Sequence, residues 1–285
     1  MTDRDTSRRP GPWDPRPEDL AVTPAADQPV RAQAAEPPLD KGQNPVWAVI
    51  STALLGGLIW YVTGSWVIAV ALIWGLLVHE YGHVLAMNRL CMGPAKIYII
   101  PFLGGVAKSQ RLPQSEWHGV LVSLAGPAFG LLAAIPFFAL FLGTGQGLWL
   151  LGAAVIALIN LVNLAPAPPL DGSKALGPVL AHIHPMLERL AMIAMGALVV
   201  WWGFTTGRWI LGGFLALALI GHLRRGAWRP DGRPLSRRES VFSVGLFLAT
   251  TAACAGVGVA ALMPLAEGSL PNAMSIAGGY LGIGR

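Results

Sequence analysis

Apolar residues in this chain come in long runs rather than in alternation with polar ones. A helix that crosses a bilayer needs ~17–25 mostly apolar residues. Seven runs approach or meet that length: Val46 to Val62, Trp66 to about Met87, Trp117 to Leu142, Leu148 to Leu164, Leu187 to Phe204, Trp209 to Leu223 and Val241 to Met263. Gly126-Pro127 should kink the third, and Pro166, Pro168 and Pro169 stop the fourth. Residues 90–115 break the pattern with Gly93-Pro94, Pro101, Gly104-Gly105 and Pro113. Within them Lys96 to Val106 reads as short strands with a glycine turn, a β-hairpin or re-entrant segment that does not span. Residues 1–45 are polar and broken by prolines from Pro10 to Pro38, so a disordered tail is expected there. No short apolar core lies near Met1, and no secretory signal is expected. The pattern predicts an all-α polytopic membrane protein of about seven transmembrane helices, with a short hairpin after the second.

Composition supports a bilayer as the solvent. Hydrophobic residues make up 54% of the 285 and charged residues only 12%, against about a quarter charged in soluble domains. The net charge of +5 calls for no nucleic-acid partner, because the basic residues fall in short loops. The loop at 224–238 holds Arg224, Arg225, Arg229, Arg233, Arg237 and Arg238 and is expected on the cytoplasmic side. Counting back by alternation puts 171–186, 90–115 and the N-terminal tail on that side too. The opposite connections are short and carry only Arg208. Cys91 and Cys254 are far apart and give neither a disulfide framework nor a paired metal spacing.

The second run carries the chemistry. His79-Glu80-Tyr81-Gly82-His83 is a His-Glu-x-x-His box near its cytoplasmic end. On a helix the two histidines stand one turn apart on one side, where they can grip one zinc ion, and Glu80 can face a water on that metal. The bland alternative is a chance pattern with solvated side chains. The apolar flanks argue against it, since ionisable groups are costly in such a helix. A catalytic zinc usually has a third protein ligand. Between residues 46 and 223 the other acids are Glu116, Asp171 and Glu188, and the other histidines are His118, His182, His184 and His222. Asp171 stands at the end of the fourth run, after the prolines and before Gly172, at the depth of the two histidines. It is the favoured third ligand. The alternative is an N-cap for a segment starting at Ser173.

The pair of motifs, His79-Glu80-x-x-His83 on one helix and Asn163-x-x-Pro166 with Leu170-Asp171-Gly172 ending a later one, resembles the site-2 proteases. These are zinc metalloproteases that cut other membrane proteins within or near the bilayer. Gly104-Gly105 and Gly126-Pro127 match as well, and the likeness is to the compact type resembling the sporulation-factor processing proteases. It covers about residues 46–190, leaving 1–45 as a tail, 191–263 as additional transmembrane helices and 264–285 as a short polar tail. The resemblance implies one catalytic Zn2+ on His79, His83 and Asp171, Glu80 as acid/base, and Asn163 near substrate or intermediate. Members often carry asparagine where this chain has Gly130. The implied partners are a transmembrane protein substrate and the lipid bilayer, and the expected setting is the plasma membrane of a prokaryote.

Two further points bear on the chemistry. A metal or ion transporter would also use a buried His/Asp site. It leaves Glu80 without a task, and the second half of the chain has no matching box of the kind repeated transporter halves would show. Asn160 and Asn163 share a helix face. Either can be interhelical glue, and Asn163 is the one expected to donate to the substrate carbonyl or oxyanion.

Overall fold

The computed structural model describes residues 42–100, 104–225 and 232–281. The tail expected to be disordered lies, up to residue 41, outside the described residues. Among the described residues ten α-helices and one hairpin follow one another. Helix α1 spans Pro45–Thr63 and α2 Trp66–Arg89. Strands β1 (Lys96–Ile100) and β2 (Gly104–Lys108) pair antiparallel, with Tyr98 opposite Val106 and Ile99 opposite Gly105. The expected hairpin is therefore present.

Helix α3 (Glu116–Gly130) continues through a 3-10 turn at Leu131–Ala134 into α4 (Ile135–Thr144). The irregularity lies past Pro127, which stays inside α3. Pro136 has no N–H to give the carbonyl of Leu132, so Ile135 donates to it instead and the helix tightens. Next come α5 (Leu148–Asn163), α6 (Asp171–Ile183), α7 (Pro185–Thr205), α8 (Trp209–Arg225), α9 (Arg237–Leu262) and α10 (Leu270–Leu281). Two of these helices lie where the sequence showed no helical run. Gly172, Gly177 and Pro178 mask α6, and α10 occupies the stretch read as a polar tail.

Among the described residues five segments are long and apolar enough to cross a bilayer: α1, α2, the stretch Glu116–Thr144, α7 and α9. Helices α5 and α8 are apolar but shorter. The expected seven thus become five full-length spans and two short helices. At 16 residues α5 is about 24 Å long, short of a ~30 Å hydrocarbon layer, because the prolines after Asn163 end it.

Helix α2 is the centre of the bundle, packed against α1, α3, α5 and the hairpin. One apolar cluster joins α2, α4 and α5 through Val67, Phe137 and Ile156. A second joins α3, α6 and α9 through Val120, Ala175 and Cys254. Helix α9 therefore belongs to the core, packed on α3, α5 and α6. A capping box between Ser236 and Glu239 starts it, and Arg233 pairs with Glu239 at the same corner. Helix α1 buries little more than Ser51 and Leu55. Trp47, Trp60, Tyr61 and Trp66 stand exposed at the ends of α1 and the start of α2, where interfacial aromatic rings are common.

Gln43 ties the start of the described chain to the hairpin. Its amide donates to the carbonyl of Ile99 at 2.9 Å and accepts from the amide of Ile99 at 2.8 Å. The side chain occupies the outer edge of β1 as a neighbouring strand would.

Candidate metal centre

Three elements bring the site together. Helix α2 presents His79 and His83 on one side, a turn apart. Helix α6 begins at Asp171, after the proline turn from α5. Helix α3 lies across the back. All three residues are buried, as is Glu80. The Nε2 atoms of the two histidines are 3.1 Å apart. Asp171 Oδ2 lies 3.1 Å from Nε2 of His79 and 3.2 Å from Nε2 of His83. Among the described residues this is the one group of three His, Cys, Asp or Glu side chains placed to hold a metal.

Tetrahedral zinc with bonds of ~2.0–2.1 Å keeps its ligand atoms about 3.3 Å apart. The triangle here is close to that spacing. Two imidazoles and a carboxylate also make the three-ligand set of a catalytic zinc with one position left open. The residues fit the ion.

The second nitrogen of each ring is engaged away from the triangle. His83 Nδ1 lies 2.7 Å from the carbonyl of Val122 on α3. His79 Nδ1 lies 2.9 Å from Oδ1 of Asn160 on α5. Such outer contacts orient metal-binding histidines. Asp171 lies outside the five spanning segments. Burial alone would raise its carboxyl; the adjoining His83 imidazole outweighs burial and holds it well below the usual carboxylate range. Lys174 Nζ adds a looser contact to Oδ1 at 3.8 Å. The carboxylate of Asp171 turns to the histidines; no side-chain cap starts α6. The capping alternative does not describe it.

Small residues let the helices approach. A side chain at Gly126 on α3 would overlap the His83 ring and crowd Nε2 of His79. At Gly82 it would meet the backbone carbonyl of Ala125 at 2.5 Å. Small residues serve helix contacts in membranes in this way. Above Glu80 the hairpin is equally close: a β-carbon at Gly105 would stand 2.6 Å from Glu80 Cγ.

Residues 67–147 match the sequence model of peptidase family M50. Over that stretch the chain is similar to this family, the site-2 proteases. The matched stretch holds the His-Glu-x-x-His box and Gly126-Pro127; Asp171 lies beyond it. A Synechocystis sp. relative whose name describes it as a zinc metalloprotease is 32% identical over 149 residues, which is 50% of this chain. The chain spans only 38% of that relative's length. No solved structure matches the chain significantly. The similarity to family M50 implies zinc, and the buried His79, His83 and Asp171 cluster is where this chain has ligands for it.

Asn163 is placed differently from Asn160. Its amide donates to the carbonyl of Ile159, one turn back on its own helix, at 3.0 Å. Asn160 is fully buried and reaches His79 on another helix. The signal that favoured Asn163 was its spacing to Pro166 and Asp171. That spacing does not report which of two amides on one helix face meets a histidine on another helix.

Proposed function

We propose that the chain is an intramembrane zinc endopeptidase that cuts a membrane-protein substrate within or near the bilayer. The observation that carries the reading is the meeting of His79, His83 and Asp171 beside Glu80, inside an apolar bundle. His79, His83 and Asp171 would hold the ion. Bound there, zinc supplies Lewis-acid polarisation of a peptide carbonyl and lowers the pKa of water toward ~7. Glu80 takes the proton of the attacking water and delivers it to the leaving amide nitrogen. The hairpin over Glu80 offers backbone to an extended segment, as strand addition to a sheet edge does. Gly105 brings that backbone onto the carboxylate without a side chain between them. A substrate helix has its amides in its own hydrogen bonds, so it unwinds locally before it is cut. Asn163 is assigned as a donor to the substrate carbonyl.

In this reading the N-terminal tail and the loop at 224–238 face the cytoplasm, and the metal centre lies toward that side, in the plasma membrane of a prokaryote. The support is the bias of arginine and lysine among the loops. A transporter does not explain a carboxylate held next to the two histidines under a hairpin.

The test is a comparison of membrane proteins in cells with the intact chain and with Glu80→Gln. A substrate should accumulate uncut in the variant while the variant keeps its zinc. Membrane proteins identical in both, with no substrate left uncut in the variant, would contradict the proposal and leave the transporter as the better account.

A further inference from the structure

We propose that Asn160 is a positioning residue of the metal centre: its side-chain oxygen fixes the proton of His79 on Nδ1 and leaves Nε2 bare toward Asp171 and His83. The inference rests on the zinc reading above and adds a residue to it.

Hydrogen-bond polarity carries the argument. The carbonyl of Ile156 can only accept, and it lies 2.7 Å from Nδ2 of Asn160. The nitrogen of the amide is therefore pinned to the helix backbone, and the opposite atom, Oδ1, faces His79 Nδ1 at 2.9 Å. Oδ1 has no hydrogen to give, so Nδ1 must be the donor. A neutral imidazole has a single N–H. With that hydrogen on Nδ1, the lone pair is on Nε2, the atom 3.1 Å from Asp171 Oδ2. Asn160 is 0% exposed, so water does not substitute for its oxygen. For His83 the corresponding acceptor is the main-chain carbonyl of Val122, which a substitution cannot remove. Asn160 is the side chain that can be deleted.

Gly130 keeps the space for it. A β-carbon there would overlap Oδ1 of Asn160 and crowd its amide nitrogen at 2.7 Å. The backbone at Gly130 is ordinary right-handed helix, φ −55°, which alanine adopts readily. Glycine is needed there for room and not for conformation. Two helices thus cooperate: α5 supplies the amide and the end of α3 leaves its slot open.

The experiment measures zinc affinity of the purified full chain by competition with a coloured chelator, with no cleavage required. Asn160→Leu and Gly130→Ala should each weaken zinc binding by about 10–100-fold. Asn160→Asp keeps an acceptor facing Nδ1 and should retain the affinity that Asn160→Leu loses. Gly119→Ala, where a β-carbon meets open space, should change nothing. Nitrogen NMR of the histidine-labelled, unsubstituted chain without zinc supplies a second reading that needs no folded variant. The His79 ring, identified by its loss in His79→Ala, should carry its proton on Nδ1. A proton on Nε2 would overturn the inference, as would folded Asn160→Leu and Gly130→Ala variants that bind zinc as tightly as the parent. Failure of the protease reading shows elsewhere, as the absence of any membrane protein that accumulates uncut in cells with Glu80→Gln.

Discussion

Gly105 lies directly on Glu80. A β-carbon at 105 would stand 2.6 Å from Glu80 Cγ and 3.2 Å from Cδ. Strand β2 is thus pressed onto the carboxylate proposed above as the acid/base. Gly105→Val should push Glu80 out of line while leaving His79, His83 and Asp171 alone. Zinc content should stay at the parent's level and turnover should fall on the order of 10²-fold, the usual effect of a small misplacement of a reacting group. Single-turnover cleavage with metal analysis on the same sample checks it; unchanged turnover would detach the hairpin from the catalytic step.

Gly126 makes the corresponding contact to the metal ligands. Gly126→Ala should displace the His83 ring and lower zinc content, because the three atoms nearest the added carbon all belong to the two imidazoles. Metal analysis beside Gly119→Ala, a change on the same helix into open space, separates the local effect from a general weakening of α3.

The two asparagines of α5 separate by readout. Asn163→Ala should keep its zinc and cut roughly 10²–10³-fold more slowly, the usual loss for one oxyanion donor. Cleavage at nearly the parental rate would remove Asn163 from the chemistry and leave it as a local bond to Ile159.

How far the site was legible from the chain follows from where each contact originates. His79 and His83 were readable because helical spacing alone puts them together. Asp171 was readable because an apolar chain offers few acids at that depth. Helix α6 was not, since Gly172, Gly177 and Pro178 look like breakers, yet Ala175 and Val179 bury one of its faces. That Asn160 would be the one to reach His79 was not legible, because its place depends on Gly130, which leaves room for it from another helix. Five of the seven expected spans reach full length; α5 and α8 are apolar but shorter, because apolar character does not report where a helix stops.

The tail gives a further prediction. Removing residues 1–41 should leave zinc binding and cleavage intact, whereas extending the deletion through Asn44 removes Gln43 from the edge of β1 and the cap of α1. The longer deletion should loosen the hairpin, seen as faster amide exchange at Ile99. Equal exchange in both truncated chains would show that Gln43 does not hold the strand.

Topology is tested by reporter fusions at Pro38 and Arg233. Both should report the cytoplasmic side, as the loop charges require. A fusion on the far side would require a different number of crossings between them.

The central claim is that residues 92 positions apart, His79 and Asp171, share one zinc ion with His83. The direct measurement is zinc per chain in the purified protein, in His79→Ala and in Asp171→Ala. The account predicts one zinc in the parent and strongly reduced zinc in both variants. Full occupancy in both would contradict it.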